Sequence, residues 1–251
     1  MRTPRTKKAK KKANNNGVNK KFFKRLITYF NGTELLLWCS SLLLITVSFL
    51  IFDRTGYLSL AASLIGATAL ILNAKGNPTG QVLVIIFSAL YGYISWECAY
   101  YGEMITYVGM TAPMAILALV DWLRHPFKGN HAEVAVARVG KRELLFMAVL
   151  TVIVTVIFYF ILEYFNTANL FVSTLSVTTS FAAVYLTFRR SPYFALAYAA
   201  NDVVLIVLWS AATINDLCYV SVLVCFITFL FNDIYGLISW RRMERRQLCG
   251  E

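Results

Sequence analysis

The stretch SPYFALAYAANDVVLIVLW, Ser191 to Trp209, is apolar almost throughout, yet Asn201 and Asp202 stand side by side in its middle. An ionisable group at the centre of so apolar a run costs about 2.5 to 3.5 kcal/mol on insertion scales, so it belongs where it faces a cavity or a partner. Tyr198, Asn201 or Asp202, Leu205 and Trp209 recur at helical spacing, which puts phenol, amide or carboxylate, and indole on one stripe. A later stretch, LCYVSVLVCFITFLFNDIYGLISW, repeats the dipeptide as Asn232 and Asp233, with Thr228, Asn232, Tyr235 and Ser239 on one face. Two earlier stretches add Tyr107, Thr111 and Met114 around Pro113, and Gln81, Ser88, Tyr91, Tyr93, Trp96 and Glu97.

These groups suit a ligand with a flat ring and hydroxyls. Aromatic faces attract planar or cationic rings, with about 0.5 to 2 kcal/mol for a cation over a ring, and asparagine amides both donate to and accept from sugar hydroxyls. The competing reading is that the polar pairs only tie helices together. For Asp233 that reading takes a specific form, since Arg241 two turns on is placed to reach back to it. Asn215 and Asp216, a third such pair, fall in a short loop and read as turn chemistry. Glu97 falls at the edge of its run and reads as solvated.

The elements that must position these residues are membrane spans. Of 251 residues 58% are hydrophobic and 15% charged, and the apolar residues come in blocks long enough to cross a hydrocarbon core of ~30 Å. The blocks are apolar on nearly every face, unlike the amphipathic helices of a soluble domain. Polar punctuation divides them into eight: Glu34 to Phe52, Tyr57 to Leu72, Gln81 to Tyr101, Met104 to Leu123, Glu143 to Tyr164, Leu170 to Phe188, Tyr193 to Ile214 and Leu217 to Trp240. Twenty-three of the 24 lysines and arginines fall before the first span, in alternate loops or after the last, leaving Arg54 alone on the other side. The positive-inside rule therefore expects both termini in the cytoplasm.

The net charge of +11 is thus topology signal, and no basic segment is interleaved with stacking aromatics as a nucleic-acid surface requires. Residues 1–33 form a lysine-rich, low-complexity arm, expected to be disordered, to act as an insertion signal and to be drawn to anionic headgroups. No small-residue cleavage pattern marks it as a signal peptide. Cys39, Cys98, Cys218, Cys225 and Cys249 lack CxxC spacing and read as small apolar fillers. His125 and His131 share one loop without an acidic cluster, so no metal is expected. Phosphate-cradling glycine loops, nucleophile elbows and HExxH are absent, which removes ATP-driven transport and ordinary hydrolysis. An intramembrane enzyme would need a base, and no histidine lies within a span.

Spans two to four and six to eight resemble each other. LNAKGNPTGQVLVIIFSALYGYISW and LTFRRSPYFALAYAANDVVLIVLW both leave a span through basic residues, turn at a proline (Pro78, Pro192), and re-enter a span that reaches a tryptophan. LALVDWLRHP and YGLISWRRME then close on Trp122 and Trp240. A repeat of three spans is inverted when it follows directly, and the fifth span, apolar with no charge in its interior, carries the chain back, making the repeats parallel, an arrangement known from SWEET-type transporters. The expected fold class is all-α integral membrane, with eight transmembrane helices: an extra N-terminal helix (34–53), repeat one (57–124), a linker helix (143–164), repeat two (170–242) and a short tail (247–251).

The 3+1+3 order with one extra first span, AYAANDVVLIVLW in span seven and LFNDIYGLISWRRM closing span eight together resemble the PnuC nicotinamide riboside transporters, from about Tyr57 to Arg246. The residues that match that family's pattern are Asn201, Asn232, Gly236 and Trp240. The fourth span departs from it, reading YVGMTAPMAILALVDW where family members are rich in aromatics and asparagine. The resemblance implies a homotrimer in the cell membrane that takes up nicotinamide riboside by facilitated diffusion for NAD synthesis, no cofactor, and trapping of the product by a cytoplasmic kinase. It places Asn201 and Asn232 on the ribose hydroxyls, Asp202 on a hydroxyl or the ring charge, and Tyr198, Trp209 and Tyr235 around the ring, with Gln81, Trp96 and Thr111 completing the site. Thiamine, riboflavin, or no cargo at all in a membrane scaffold are the alternatives.

Overall fold

A computed structural model describes residues 29–97, 101–167, 169–214 and 216–250. Residues 1–28 of the lysine-rich arm, Cys98 and Asn215 lie outside the described residues. The chain divides into two units with the boundary inside the first helix, at Ser40 and Ser41. Before that boundary, Glu34 caps the helix start by accepting the Asn31 backbone N–H at 2.8 Å.

Among the described residues eight helices are long and apolar enough to cross a membrane: α1 Gly32–Phe52, α2 Tyr57–Ala74, α3 Thr79–Glu97, α4 Tyr101–Arg124, α5 Lys141–Tyr164, α6 Leu170–Phe188, α7 Phe194–Thr213 and α8, which follows a single 3-10 turn at Leu217–Tyr219 and runs Val220–Cys249. The all-helical expectation needs one correction. Between α4 and α5 lies a small hairpin, β1 Pro126–Phe127 against β2 Asn130–Val134, closed by Lys128 and Gly129, both at positive φ. Glycine tolerates that conformation freely and makes the tight reversal. The last helix also runs about two turns beyond the expected edge at Trp240, because MERRQLC is made of good helix formers with no glycine or proline until Gly250.

Packing follows a closed circuit. α2 lies against α3, α3 against α4, α4 against α6, α6 against α7, α7 against α8, and α8 against α2. Six helices thus enclose an interior, while α5 leans on α6 from outside and buries only Leu162 along its length. A helix apolar all round with so little buried faces lipid.

The turn after α2 and the turn after α6 are built alike. Asn77 N–H donates to Leu72 O and Ser191 N–H to Leu186 O, each at 3.0 Å. Gly76 and Arg190, four residues beyond Leu72 and Leu186, both take positive φ, +66° and +53°. Arginine is strained there, and it is held by its own side chain, which donates to Ala135 O at 3.2 Å and pairs with Asp121 at 2.7 Å. Gly76 has no room for a side chain: an added Cβ would meet Met243 and Val134. The segment after α4 is stitched to both turns, Val134 N–H at the end of β2 to Gly76 O and Ala137 N–H beyond it to Arg190 O, each at 3.0 Å.

Two tryptophans seal the same end. Trp122 of α4 donates its indole N–H to Thr187 O at 2.9 Å, at the end of α6, and Trp240 of α8 donates to Asn73 O at 2.7 Å, at the end of α2. Their rings lie 5.4 Å apart and are fully buried. The sequence shows only that two stretches close on these tryptophans. In the structure each indole ties one helix to the last turn of another.

Candidate functional site

Within the six-helix circuit every lysine, arginine and histidine of the described residues lies at or past a helix end: none occurs in α2, α3, α6 or α7, and those of α4 and α8 come after Trp122 and Trp240. The interior does hold acids. Asp202 stands eight residues beyond the start of α7 and Asp233 seven before Trp240, so each is about 11 Å from the basic end, at one level on neighbouring antiparallel helices. Their carboxyl groups are side by side. Asp202 is 4% exposed, and its Oδ2 has no hydrogen-bond partner on the protein. Arg241 does not reach back to Asp233; it donates to Tyr193 Oη at 2.9 Å and pairs with Glu244 at 3.4 Å.

Two like carboxyl groups in a low-dielectric interior, with no base beside them, are costly unless a cation or a proton shares the space. Neighbouring polar groups are also left open. Asn232 is 1% exposed; its amide N–H groups donate to Ser41 Oγ at 2.9 Å and Thr228 O at 2.8 Å, while its Oδ1 accepts nothing. Ser88 Oγ on α3 is buried without a partner. Tyr198, one turn nearer the basic end, is within electrostatic reach of both aspartates.

Toward the opposite end the interior turns aromatic. Tyr91 and Phe87 of α3, Tyr107 of α4, Trp209 of α7 and Phe226 and Phe229 of α8 form one buried cluster, with ring centroids 4.5 Å apart for Tyr91–Tyr107 and 5.5 Å for Phe87–Tyr91. Tilted and offset pairs of this kind are favourable contacts of the ring quadrupoles. Above them sits Glu103, three residues into α4 by sequence position and 6% exposed, with Oε2 unpartnered and its charge felt by both tyrosines. Tyr107 belongs to a π-helical segment, Thr106–Thr111, just before Pro113. Proline displaces the carbonyl four residues back, and a widened turn is one way a helix absorbs this. Such segments recur at functional sites.

The expected site residues divide accordingly. Asp202, Asn232, Tyr198 and Trp209 border the interior. Asn201 is buried but its side-chain carbonyl is occupied, accepting from Thr179 Oγ1 at 2.9 Å, Ser180 Oγ at 3.0 Å and Ser176 Oγ at 3.3 Å, all on α6. Thr111 spends its hydroxyl on Thr106 O at 3.2 Å, inside the π-helical segment. Gln81 is buried at the basic end, where its amide donates to Asn73 Oδ1 at 3.0 Å. Trp96 is 55% exposed and packs on Tyr93 outside the circuit. Trp209 and Tyr235 do not face each other across a ring-sized gap. They stand at levels about 13 Å apart along the bundle, and Trp209 meets Tyr219 at 5.4 Å instead.

Asp233, Ser88, Tyr91 and Tyr107, named in the sequence reading as polar groups within spans, and Glu103, which it did not name, are interior residues that it left out of its site. Among the described residues no group of three or more His, Cys, Asp or Glu side chains is placed to hold a metal.

The family model for nicotinamide mononucleotide transporters matches residues 56–242. The nicotinamide riboside transporter PnuC of Neisseria mucosa is 24% identical over 224 residues, 87% of this chain and 83% of that one. The transporter of the same name from Haemophilus influenzae is 21% identical over 191 residues, covering 76% and 81%. A crystal structure of the vitamin B3 transporter PnuC superposes with a TM-score of 0.76 at 22% identity, over 87% of this chain and 94% of that one; at that identity it speaks to the fold.

Proposed function

The chain belongs to the nicotinamide mononucleotide transporter family, a family of membrane transporters rather than enzymes, and on that premise we propose that its cargo is nicotinamide riboside, the nucleoside, and not the mononucleotide. The observation that carries this is the charge of the interior. Asp202, Asp233 and Glu103 are buried in the interior with no basic residue of the circuit helices beside them. A phosphate group brought there would meet carboxyls and no cation to pair with, and burying an unpaired charge costs several kcal/mol. Nicotinamide riboside is a single cation whose pyridinium supplies the charge the acids lack. The aromatic cluster offers faces for that ring, worth about 0.5 to 2 kcal/mol each to a cation, and Asn232 Oδ1 and Ser88 Oγ are open to ribose hydroxyls.

Transport is by facilitated diffusion, as the resemblance to the family implies. Alternating access opens the sealed tryptophan end in turn, with the carboxyl pair as the station reached from both sides. The basic end is cytoplasmic, which the charge distribution supports, in the cell membrane. The two like-built turns support parallel repeats. A homotrimer and a cytoplasmic kinase that traps the nucleoside complete the reading.

Thermal unfolding of the detergent-purified protein with nicotinamide riboside, nicotinamide mononucleotide, thiamine and riboflavin, one at a time, tests the cargo. A ligand at 100 times its Kd stabilises by ~2.7 kcal/mol. Nicotinamide riboside is expected to raise Tm and the mononucleotide to leave it unchanged. A larger shift with the mononucleotide or riboflavin overturns the proposal, and no shift with any of them favours a scaffold.

A further inference from the structure

We propose that the basic end of the α7–α8 pair holds a binding site for an anionic glycerophospholipid. A cavity of about 410 Å³ opens there, lined by Tyr193 and Leu196 of the α7 start and by Ile238, Arg241, Arg242 and Arg245 of α8. Ile238, Arg241, Arg242 and Arg245 follow the i, i+3, i+4, i+7 spacing, so one helix face carries an apolar residue at its deeper end and three guanidiniums beyond it. Leu196 and Ile238 are about half exposed and lie at the depth of the first acyl carbons, whereas the arginines come just past Trp240, at headgroup level.

The three arginines are not equivalent. Arg241 is fixed in place: its guanidinium stacks over the Tyr193 ring at 5.0 Å, donates to Tyr193 Oη at 2.9 Å, and shares Glu244 with Arg138. Arg242 and Arg245 pair with no carboxylate among the described residues. They flank the cavity with two uncompensated charges and donors that fit phosphate oxygens bidentately. An apolar floor under an unpaired cationic rim selects a molecule with a phosphodiester and an acyl chain. A soluble phosphate has no use for the floor, and a zwitterionic headgroup brings its own cation to the rim. Basic pockets at the membrane surface bind anionic headgroups for these reasons.

The site lies outside the interior path, so it stands or falls independently of the cargo. The test is thermal unfolding of the detergent-purified protein with added phosphatidylglycerol, with phosphatidylcholine of the same chains, and with inorganic phosphate. Phosphatidylglycerol is expected to raise Tm by several degrees and the other two by less than one. Arg242→Gln with Arg245→Gln is expected to keep the Tm of the unmodified protein in detergent alone and to lose the phosphatidylglycerol shift, while Arg142→Gln, another arginine near the basic end, keeps it. Equal shifts with the two lipids, a shift with phosphate alone, or a full shift in the double variant overturns the proposal. Should the double variant fail to fold, native mass spectrometry of the unmodified protein decides: retention of phosphatidylglycerol over phosphatidylcholine upholds the site, and equal retention overturns it.

Discussion

Asp202 and Asp233 are where charge selectivity would be made. If the carboxyl pair faces the pyridinium, Asp202→Asn keeps the shape and removes a charge-assisted contact worth about 1.5 to 3 kcal/mol. Affinity for nicotinamide riboside should then fall roughly tenfold or more, while its reduced, uncharged form binds as before. Equal weakening of both forms in a binding titration would assign Asp202 to the hydroxyls; no weakening, with a lower Tm, would make it helix glue. The Asn201–Asp202 dipeptide was legible in the sequence as polar groups inside a span, but their division of labour was not. Asn201 turns to α6 because Ser176, Thr179 and Ser180, at i, i+3 and i+4, present hydroxyls there, a stripe that could have been read beforehand. Glu103 escaped for a different reason. Placing the start of the fourth span at Met104 left Glu103 just outside, where an acid reads as solvated, although three more residues of helix bury it.

Helix ends carry the second layer of the design. Gly76 and Arg190 occupy matching turns at positive φ, yet only Arg190 has side-chain partners that hold it there. Gly76→Ala should therefore destabilise by about 1 kcal/mol or more, from the left-handed backbone and from crowding against Met243 and Val134. Replacing the exposed Gly140, at φ −76° with open space around it, should cost far less, and chemical denaturation of the two variants compares them. Equal stability of both would remove the argument that the Gly76 turn is tightly packed. Membrane spans were read correctly from length and apolarity, because a bilayer imposes both. Their ends were not: the ending on Trp122 and Trp240 was visible, but an indole N–H finds its acceptor through tertiary packing, and nothing in LALVDW or GLISW points to Thr187 or Asn73. The hairpin after α4 was missed because seven residues of strand in a polar loop carry no hydrophobic period.

At the scale of the whole molecule, the circuit of six helices, the acidic interior and the one-sided arginines make a single claim: an inward path for an organic cation. Orientation is the first part of it. Single cysteines at Lys128 and Arg242, in a background without exposed cysteines, should react with an impermeant maleimide only when the cytoplasmic face is open, and one at Arg54 from outside. External reaction at Lys128 would invert the assignment. Cargo is the second part, and uptake into proteoliposomes tests it most directly. With radiolabelled nicotinamide riboside and no imposed gradient, uptake should saturate, level off at equal inner and outer concentrations, and be inhibited by unlabelled nicotinamide riboside but not by a tenfold excess of the mononucleotide. Uptake no faster than in protein-free liposomes, or the mononucleotide carried as readily as the nucleoside, would contradict the account.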